Sequence, residues 1–144
     1  DVLLRGGVVH GYVNLGGDLR ALGPKRDGNP WMIGIRHPRK PGEMIASIPL
    51  QAGGLATSGD YERYFERDGR RYCHLLKPTD GYPAAGWQSI SVLAPQAITA
   101  GASATIAMLK QQDALEFLRE IGLPYLAIDA DGRLHSSSKN SISI

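Results

Sequence analysis

Alternating apolar and polar residues dominate the first two-thirds of the chain. Residues 31–36 place Trp31, Ile33 and Ile35 on one face, which is typical of a β-strand. Similar short runs predict strands at 11–14, 44–50, 53–57 and 89–94. Two Asp-Gly pairs each separate a pair of runs, so we expect two hairpins, 61–66 with 71–76 and 124–128 with 133–136.

Helical spacing dominates the region between the last strands. Residues 99–109 are rich in small side chains, which favours a buried helix, and 112–121 repeat apolar residues at helical spacing before Gly122, a C-terminal cap. Residues 1–5 resemble the end of another helix, so we expect a fragment or a processed chain. The predicted fold class is α+β, an antiparallel-rich sheet with two helices packed on it. Residues 1–144 form one domain that ends in a polar tail, 137–144.

Composition narrows the function classes. The 144 residues carry a net charge of +2 and no Lys/Arg run of five, which argues against nucleic acid and membrane surfaces as partners. The single cysteine, Cys73, excludes an internal disulfide and a cysteine metal cluster. Neither a signal peptide nor a transmembrane-length apolar stretch is visible.

Two glycine-containing segments near strand ends are candidates for binding an anion or a flat ring. In the first, Asn14-Leu15-Gly16-Gly17-Asp18, the glycines allow close backbone approach, although a simple Asx-type turn explains the same residues. In the second, Ala56-Thr57-Ser58-Gly59-Asp60-Tyr61, two hydroxyls precede a glycine and an acid. The alternative there is a capped turn.

Two later segments carry candidate chemistry. His74 ends a predicted strand before a Pro/Gly loop, where a histidine serves as a general base or lies on the surface without a role. The run Thr99 to Thr105 opens the first helix with small residues, which suits a phosphate at the helix start or tight core packing. Back-bonding to helix carbonyls is the alternative for the Thr105 hydroxyl.

In this order the four segments resemble the C-terminal half of the FAD:protein FMN transferases, the ApbE family, over roughly residues 11–138. The resemblance implies an enzyme that splits FAD with help from Mg²⁺ and moves FMN to a threonine hydroxyl of an acceptor flavoprotein. It also implies a periplasmic, membrane-anchored location. Exposed strand edges, left by the absent N-terminal half, favour a homodimer.

The resemblance assigns roles to individual residues. His74 matches the proposed base, and Thr105 matches a metal-ligating threonine. The flavin- and phosphate-binding positions are Asn14, Gly16, Gly17, Asp18, Thr57, Ser58, Gly59 and Asp60.

Three departures from the family pattern bear on catalysis. Lys77 and Asp80 replace an Asp and a Thr after His74, and Gly101 stands where the family has a metal-ligating Asp. Because Mg²⁺ prefers hard oxygen ligands, this loss predicts weaker Mg²⁺ binding. Two compensations are conceivable: Asp80 as a substitute carboxylate, or the Lys77 ammonium beside the phosphates.

Two further functions are therefore alternatives to the transferase function. One is a non-catalytic flavin- or nucleotide-binding relative, and the other is a structural fragment that only oligomerises. Acceptor proteins of the family carry a Ser/Asp-Gly-Ala-Thr/Ser-like segment, which Gly101-Ala102-Ser103 loosely resembles. Self-flavinylation at Ser103 or Thr105 is thus an alternative to simple helix packing.

Overall fold

The computed structural model describes residues 2–137, and a six-stranded antiparallel sheet organises them. The elements are α1 (Val2–Arg5), β1 (Gly11–Leu15), β2 (Asp18–Gly23), β3 (Trp31–Arg36), β4 (Met44–Leu50), β5 (Gly53–Gly59), β6 (Tyr64–Arg67), β7 (Arg70–Cys73), β8 (Trp87–Ala94), α2 (Ala97–Lys110), α3 (Ala114–Glu120), β9 (Tyr125–Asp129) and β10 (Leu134–Ser136). The strand order is β1-β2-β5-β8-β9-β10, and every neighbouring pair is antiparallel. Strands β3 with β4 and β6 with β7 form separate two-stranded ribbons.

Helices α2 and α3 cover one face of the large sheet. Residues at helical spacing on α2 are buried, and they pack with β8, β9 and α3 in one apolar cluster. Trp87 belongs to this cluster, and its indole N–H donates to the Gln111 carbonyl at 2.7 Å. The small side chains of α2 therefore serve the close helix packing that the sequence favoured.

The β3–β4 ribbon covers the opposite face. Its inward residues join those of β2 and β5 in a second cluster, and Trp31 packs against that cluster. The Trp31 indole N–H donates to the Gly23 carbonyl at 2.9 Å, while its ring meets Tyr12 edge-on at a centroid distance of 5.0 Å. The molecule thus has three layers, with the large sheet in the middle.

The predicted α+β class with an antiparallel sheet is confirmed, and the differences in detail have physical causes. Strand β2 was missed because its buried positions, Leu19, Ala21 and Gly23, carry only one large apolar side chain. The second helix is shorter than predicted, since a 3₁₀ turn, Gln111–Asp113, precedes α3. Within 2–137 no helix has the length and apolar character to cross a membrane. All of the polar tail after Ser137 lies outside the described residues.

Two glycines on facing elements predict opposite responses to alanine. A Cβ on Gly54 would lie 2.4 Å from the Ala97 backbone nitrogen, whereas one on Gly101 would meet nothing closer than 3.5 Å. We expect Gly54→Ala to destabilise the protein by about 1–3 kcal/mol, because backbone must move apart. We expect Gly101→Ala to stabilise it by about 0.5–1 kcal/mol, because alanine favours a helix. Urea unfolding of both variants measures these shifts, and equal shifts would contradict the packing described for Gly54.

The Asp129 carboxylate predicts a loss of stability in acid. His135 Nε2 lies 2.9 Å from Asp129 Oδ2, and the other oxygen accepts from the backbone N–H groups of Asp131 and Arg133. The His135 hydrogen bond, followed by the backbone bonds, lowers the pKa of Asp129 below its ordinary 3.8. A carboxylate whose pKa is lowered in the folded state stabilises the protein at pH values above its ordinary pKa. This contribution is lost as the pH falls through the lowered pKa.

Asp129→Asn should therefore lower the free energy of unfolding by about 1–2 kcal/mol near neutral pH, because a charge-assisted hydrogen bond is lost. The difference from the parent should shrink as the pH falls through the lowered pKa of Asp129, because the parent carboxylate then also protonates. Urea titrations at several pH values give both quantities. Asp131→Asn is the control, since the Asp131 carboxylate pairs with the exposed side chain of Arg133 at 3.5 Å. A pH-independent difference for Asp129→Asn would disprove the link to ionisation.

Candidate functional site

A cavity of about 540 Å³ lies where the β1–β2 turn meets the end of β5, on the face that carries β3 and β4. Four of the residues that the sequence assigned to a nucleotide site line it. They are Asn14, Gly16, Gly17 and Thr57. The antiparallel pairing of β2 with β5 places the turn beside the end of β5, so two separate sequence segments meet here.

The β1–β2 turn is built by its two glycines. Gly16 and Gly17 have φ angles of 65° and 109°, and Leu15 pairs directly with Asp18, so the two glycines form a tight hairpin turn. The Gly17 N–H donates to Asn14 Oδ1 at 2.9 Å. Asn14 therefore holds the turn, and a ligand that used the Gly17 N–H would first have to displace the amide.

Three other candidate residues, Asp18, Ser58 and Thr105, lie on the helical face at the same end of the sheet. Asp18 approaches α2, where its Oδ2 is 3.5 Å from the position of a Cβ on Gly101. The Ser58 and Thr105 hydroxyls are 2.9 Å apart. Because successive strand residues point to opposite faces, Thr57 and Ser58 face different layers, and Thr57 instead bonds Ser91 at 2.7 Å.

The donors on the helical face do not fit a protein-held Mg²⁺ ion. They comprise one carboxylate, Asp18, and the hydroxyls of Ser58 and Thr105, which already bond each other. Gly101 contributes no donor, and residues 2–137 contain no cluster of three His, Cys, Asp or Glu side chains. Mg²⁺ dehydrates reluctantly and needs near-octahedral oxygen ligands, so this set is too poor in charge.

Asp60 and Gly59 contact protein groups at the end of β5. Asp60 accepts two bonds of 2.7 Å from the Arg39 guanidinium, and Arg71 approaches it at 3.8 Å. A Cβ on Gly59 would lie 2.5 Å from the Tyr61 ring, so glycine allows that ring to pack on the strand. Burial, with a smaller effect of Glu62, raises the pKa of the Tyr61 phenol.

The segment after β7 keeps His74 accessible. The His74 backbone N–H donates to the Arg63 carbonyl at 3.0 Å, and the His74 Nδ1 lies 3.3 Å from the same oxygen. Arg63 lines the cavity, so His74 pairs with a residue of the cavity wall. The imidazole is exposed and able to exchange protons with a bound molecule or water.

Lys77 and Asp80, the two conceivable compensations for Gly101, bind each other at 2.7 Å. Asp80 also accepts from the Tyr82 backbone N–H at 2.9 Å. The Lys77 hydrogen bond, followed by that of Tyr82, lowers the pKa of Asp80. Either compensation would therefore require this pair to separate. Self-flavinylation meets a similar obstacle, since Ser103 is buried and the Thr105 hydroxyl is bonded.

Part of the cavity wall was missed by sequence reasoning. It consists of Ile33, Gly34, Ile35 and Arg36 on β3 together with Glu62 and Arg63. The alternation on β3 predicted a strand but carried no signal for its position over the main sheet. Arg36 directly follows the last buried residue of β3, and a charged residue at a strand end is the one local sign that was available.

Comparisons with known proteins agree with one family. The model of the ApbE family matches residues 1–127. The FAD:protein FMN transferase of Haemophilus influenzae is 40% identical over 134 residues, which are 90% of this chain and 39% of that protein. That of Vibrio cholerae is 38% identical over 116 residues, 78% of this chain and 34% of the relative.

Solved structures agree with the sequence relatives. The ApbE protein of Thermotoga maritima superposes with a TM-score of 0.81 at 39% identity, covering 89% of this chain and 42% of that one. The flavin transferase ApbE of Vibrio cholerae gives 0.80 at 32% identity, with 96% and 45% covered. The chain spans less than two-fifths of the length of the curated relatives that it matches.

Gly101→Asp should create a divalent-cation site beside Asp18. The Cβ of the new side chain would lie 3.5 Å from Asp18 Oδ2, so its carboxylate and that of Asp18 would repel each other in the absence of metal. We expect a lower melting temperature without Mg²⁺, recovery on adding Mg²⁺, and a heat of Mg²⁺ binding by calorimetry that the parent lacks. Gly101→Asn, which has the same shape without the charge, is the control. An equal Mg²⁺ response in the Asn variant would refute the role of the paired carboxylates.

Proposed function

The chain belongs to the ApbE family, and we propose that it forms the nucleotide-binding end of an FAD:protein FMN transferase. The observation that carries this proposal is the meeting of the Asn14–Asp18 turn with Thr57 and Ser58 at one end of the sheet, beside an open cavity. One relative that bears the transferase name covers 90% of this chain at 40% identity. FAD is the proposed small-molecule substrate, and a hydroxyl of an acceptor flavoprotein receives FMN.

In this proposal the two faces at this end of the sheet have different roles. The cavity beside Thr57 and the β1–β2 turn holds and orients the nucleotide, with the Thr57 hydroxyl as a hydrogen-bond donor. On the helical face, Asp18 and the Ser58–Thr105 hydroxyl pair border the pyrophosphate. His74 accepts the proton of the acceptor hydroxyl as that oxygen attacks the FMN phosphorus.

The reaction balances without any further reactant. The acceptor oxygen forms a bond to the FMN phosphorus, and the bond from that phosphorus to the bridging oxygen breaks. AMP leaves with the bridging oxygen and its electron pair, and the hydroxyl proton goes to His74. The donors around Gly101 do not fit the Mg²⁺ that the family resemblance implies, and no step of this reaction depends on that ion.

The comparisons do not favour the alternative function, a relative that binds flavin nucleotide without turnover, because the matching relatives are named as transferases. Such a relative would keep the cavity and the turn, and it would lack the charge that neutralises the departing AMP phosphate. FAD titrations with and without Mg²⁺ distinguish the two. Metal-strengthened binding with AMP release supports the transferase, and metal-independent binding without release supports the non-catalytic relative.

Thr57→Val should weaken FAD binding by about three- to tenfold, the usual effect of one lost hydrogen bond. The measurement is quenching of flavin fluorescence on titration with protein. Ser91→Ala is the matched control, because it removes the same 2.7 Å Thr57–Ser91 bond while Ser91 lies outside the cavity lining. Equal losses in both variants would mean that Thr57 only supports the sheet.

His74→Gln separates catalysis from binding in the same preparation. It should leave FAD quenching within about twofold and lower AMP release by about a hundredfold or more, the usual range for a lost general base. Unchanged AMP release would remove His74 from the proposed mechanism, while loss of both signals would assign it to nucleotide binding instead.

A further inference from the structure

A second cavity, of about 480 Å³, opens between the β3–β4 loop, 37–43, and residues 61–64. It shares Arg36, Tyr61 and Glu62 with the nucleotide cavity described above. The two cavities are therefore neighbours with a common wall. We call the second one the outer cavity.

Ion pairs fix the frame of the outer cavity. Asp60 joins the loop to β5 through its two 2.7 Å bonds to Arg39. Arg71 lies 4.0 Å from the Tyr64 ring centroid and 3.0 Å from Glu66, so β6 and β7 are tied to the same frame. Such a frame presents a preformed opening, which lowers the entropy cost of binding.

Arg36 differs from the other two arginines in how it is held. Arg39 and Arg71 are both engaged by Asp60. Arg36 makes a single 3.1 Å contact with Glu62, and the two side chains are 69% and 56% exposed. Exposed pairs of this kind contribute little to stability, so an incoming carboxylate can replace Glu62 at low cost.

The rest of the lining suits a polypeptide better than a small anion. Pro38, Pro41, Met44 and the rings of Tyr61 and Tyr64 surround the charged groups. Aromatic and apolar surfaces of this sort bury side chains along a segment, and Arg36 adds one site for an acidic group. A free phosphate would find Arg39 already paired with Asp60, and Arg71 already paired with Asp60 and Glu66.

We propose that the outer cavity binds the acceptor polypeptide, as an extended segment with an acidic side chain on Arg36 and its hydroxyl beside His74 at the end of the sheet. This inference rests on the proposed transferase function. Group transfer requires reacting atoms about 3–3.5 Å apart, so the two substrates must occupy neighbouring sites. His74 pairs with Arg63, which directly follows Glu62 of the shared wall.

The test is fluorescence anisotropy of a fluorescein-labelled peptide with an Asp-Gly-Ala-Thr segment, titrated with the chain in the absence of nucleotide. Arg36→Glu should weaken binding about tenfold or more, because like charges are brought together. Replacing the peptide Asp by Asn should remove most of that difference. Arg133→Glu is the matched control, since Arg133 is also exposed and pairs with an acidic residue, Asp131. Both residues are far from Arg36 in the sequence.

Pro41→Glu gives a second test at a residue that lines the outer cavity alone. This substitution should also weaken peptide binding, and it should leave the quenching of FAD fluorescence by the protein unchanged. Peptide binding that is absent, or equal in the parent, Arg36→Glu and Pro41→Glu proteins, overturns the inference. FAD binding is scored separately, so its failure counts against the proposed nucleotide site and not against the outer cavity.

Discussion

The close approach of helix α2 to the main sheet determines the geometry of the candidate site. Gly54 and Ala97 pack so tightly that even one added carbon would lie 2.4 Å from backbone. Further along the helix, Ala100, Ala104 and Ala107 are fully buried. Because the contact between helix and sheet near Gly54 consists of the small residues Ala56, Ala94 and Ala100, the Ser58 and Thr105 hydroxyls can bond directly and Gly101 lies beside Asp18. Larger residues at this contact would move the helix outward and separate these groups.

Strand alternation imposes a second constraint. Thr57 and Ser58 are adjacent in sequence, yet one faces the β3–β4 layer and the other faces α2. A ligand that contacts both must therefore extend around the end of the sheet. An elongated dinucleotide can do so, with its ring system on one side and its phosphates on the other. The tight Gly16-Gly17 turn keeps the sheet end narrow enough for this.

Local patterns predicted much of the fold. The alternation at Trp31, Ile33 and Ile35 predicted β3, and the small residues of 99–109 predicted a closely packed helix. The weakly apolar β2 was missed, since its burial comes from neighbours rather than from its own side chains. For the site, the glycine turn and Thr57 were found by their residue types. The positions of Arg36 and Glu62 depend on how the β3–β4 ribbon lies over the sheet, which is a tertiary contact without a local pattern.

The two tryptophans lie in different layers of the molecule. Trp31 packs against the β3–β4 cluster, and Trp87 lies in the helical cluster, each with its indole N–H bonded to a backbone carbonyl. Each of the two interfaces between layers thus contains its own tryptophan. The fluorescence maximum of each tryptophan reports solvent entry into its own interface. Single-tryptophan versions of the chain would show whether the layers separate in one cooperative step or in sequence.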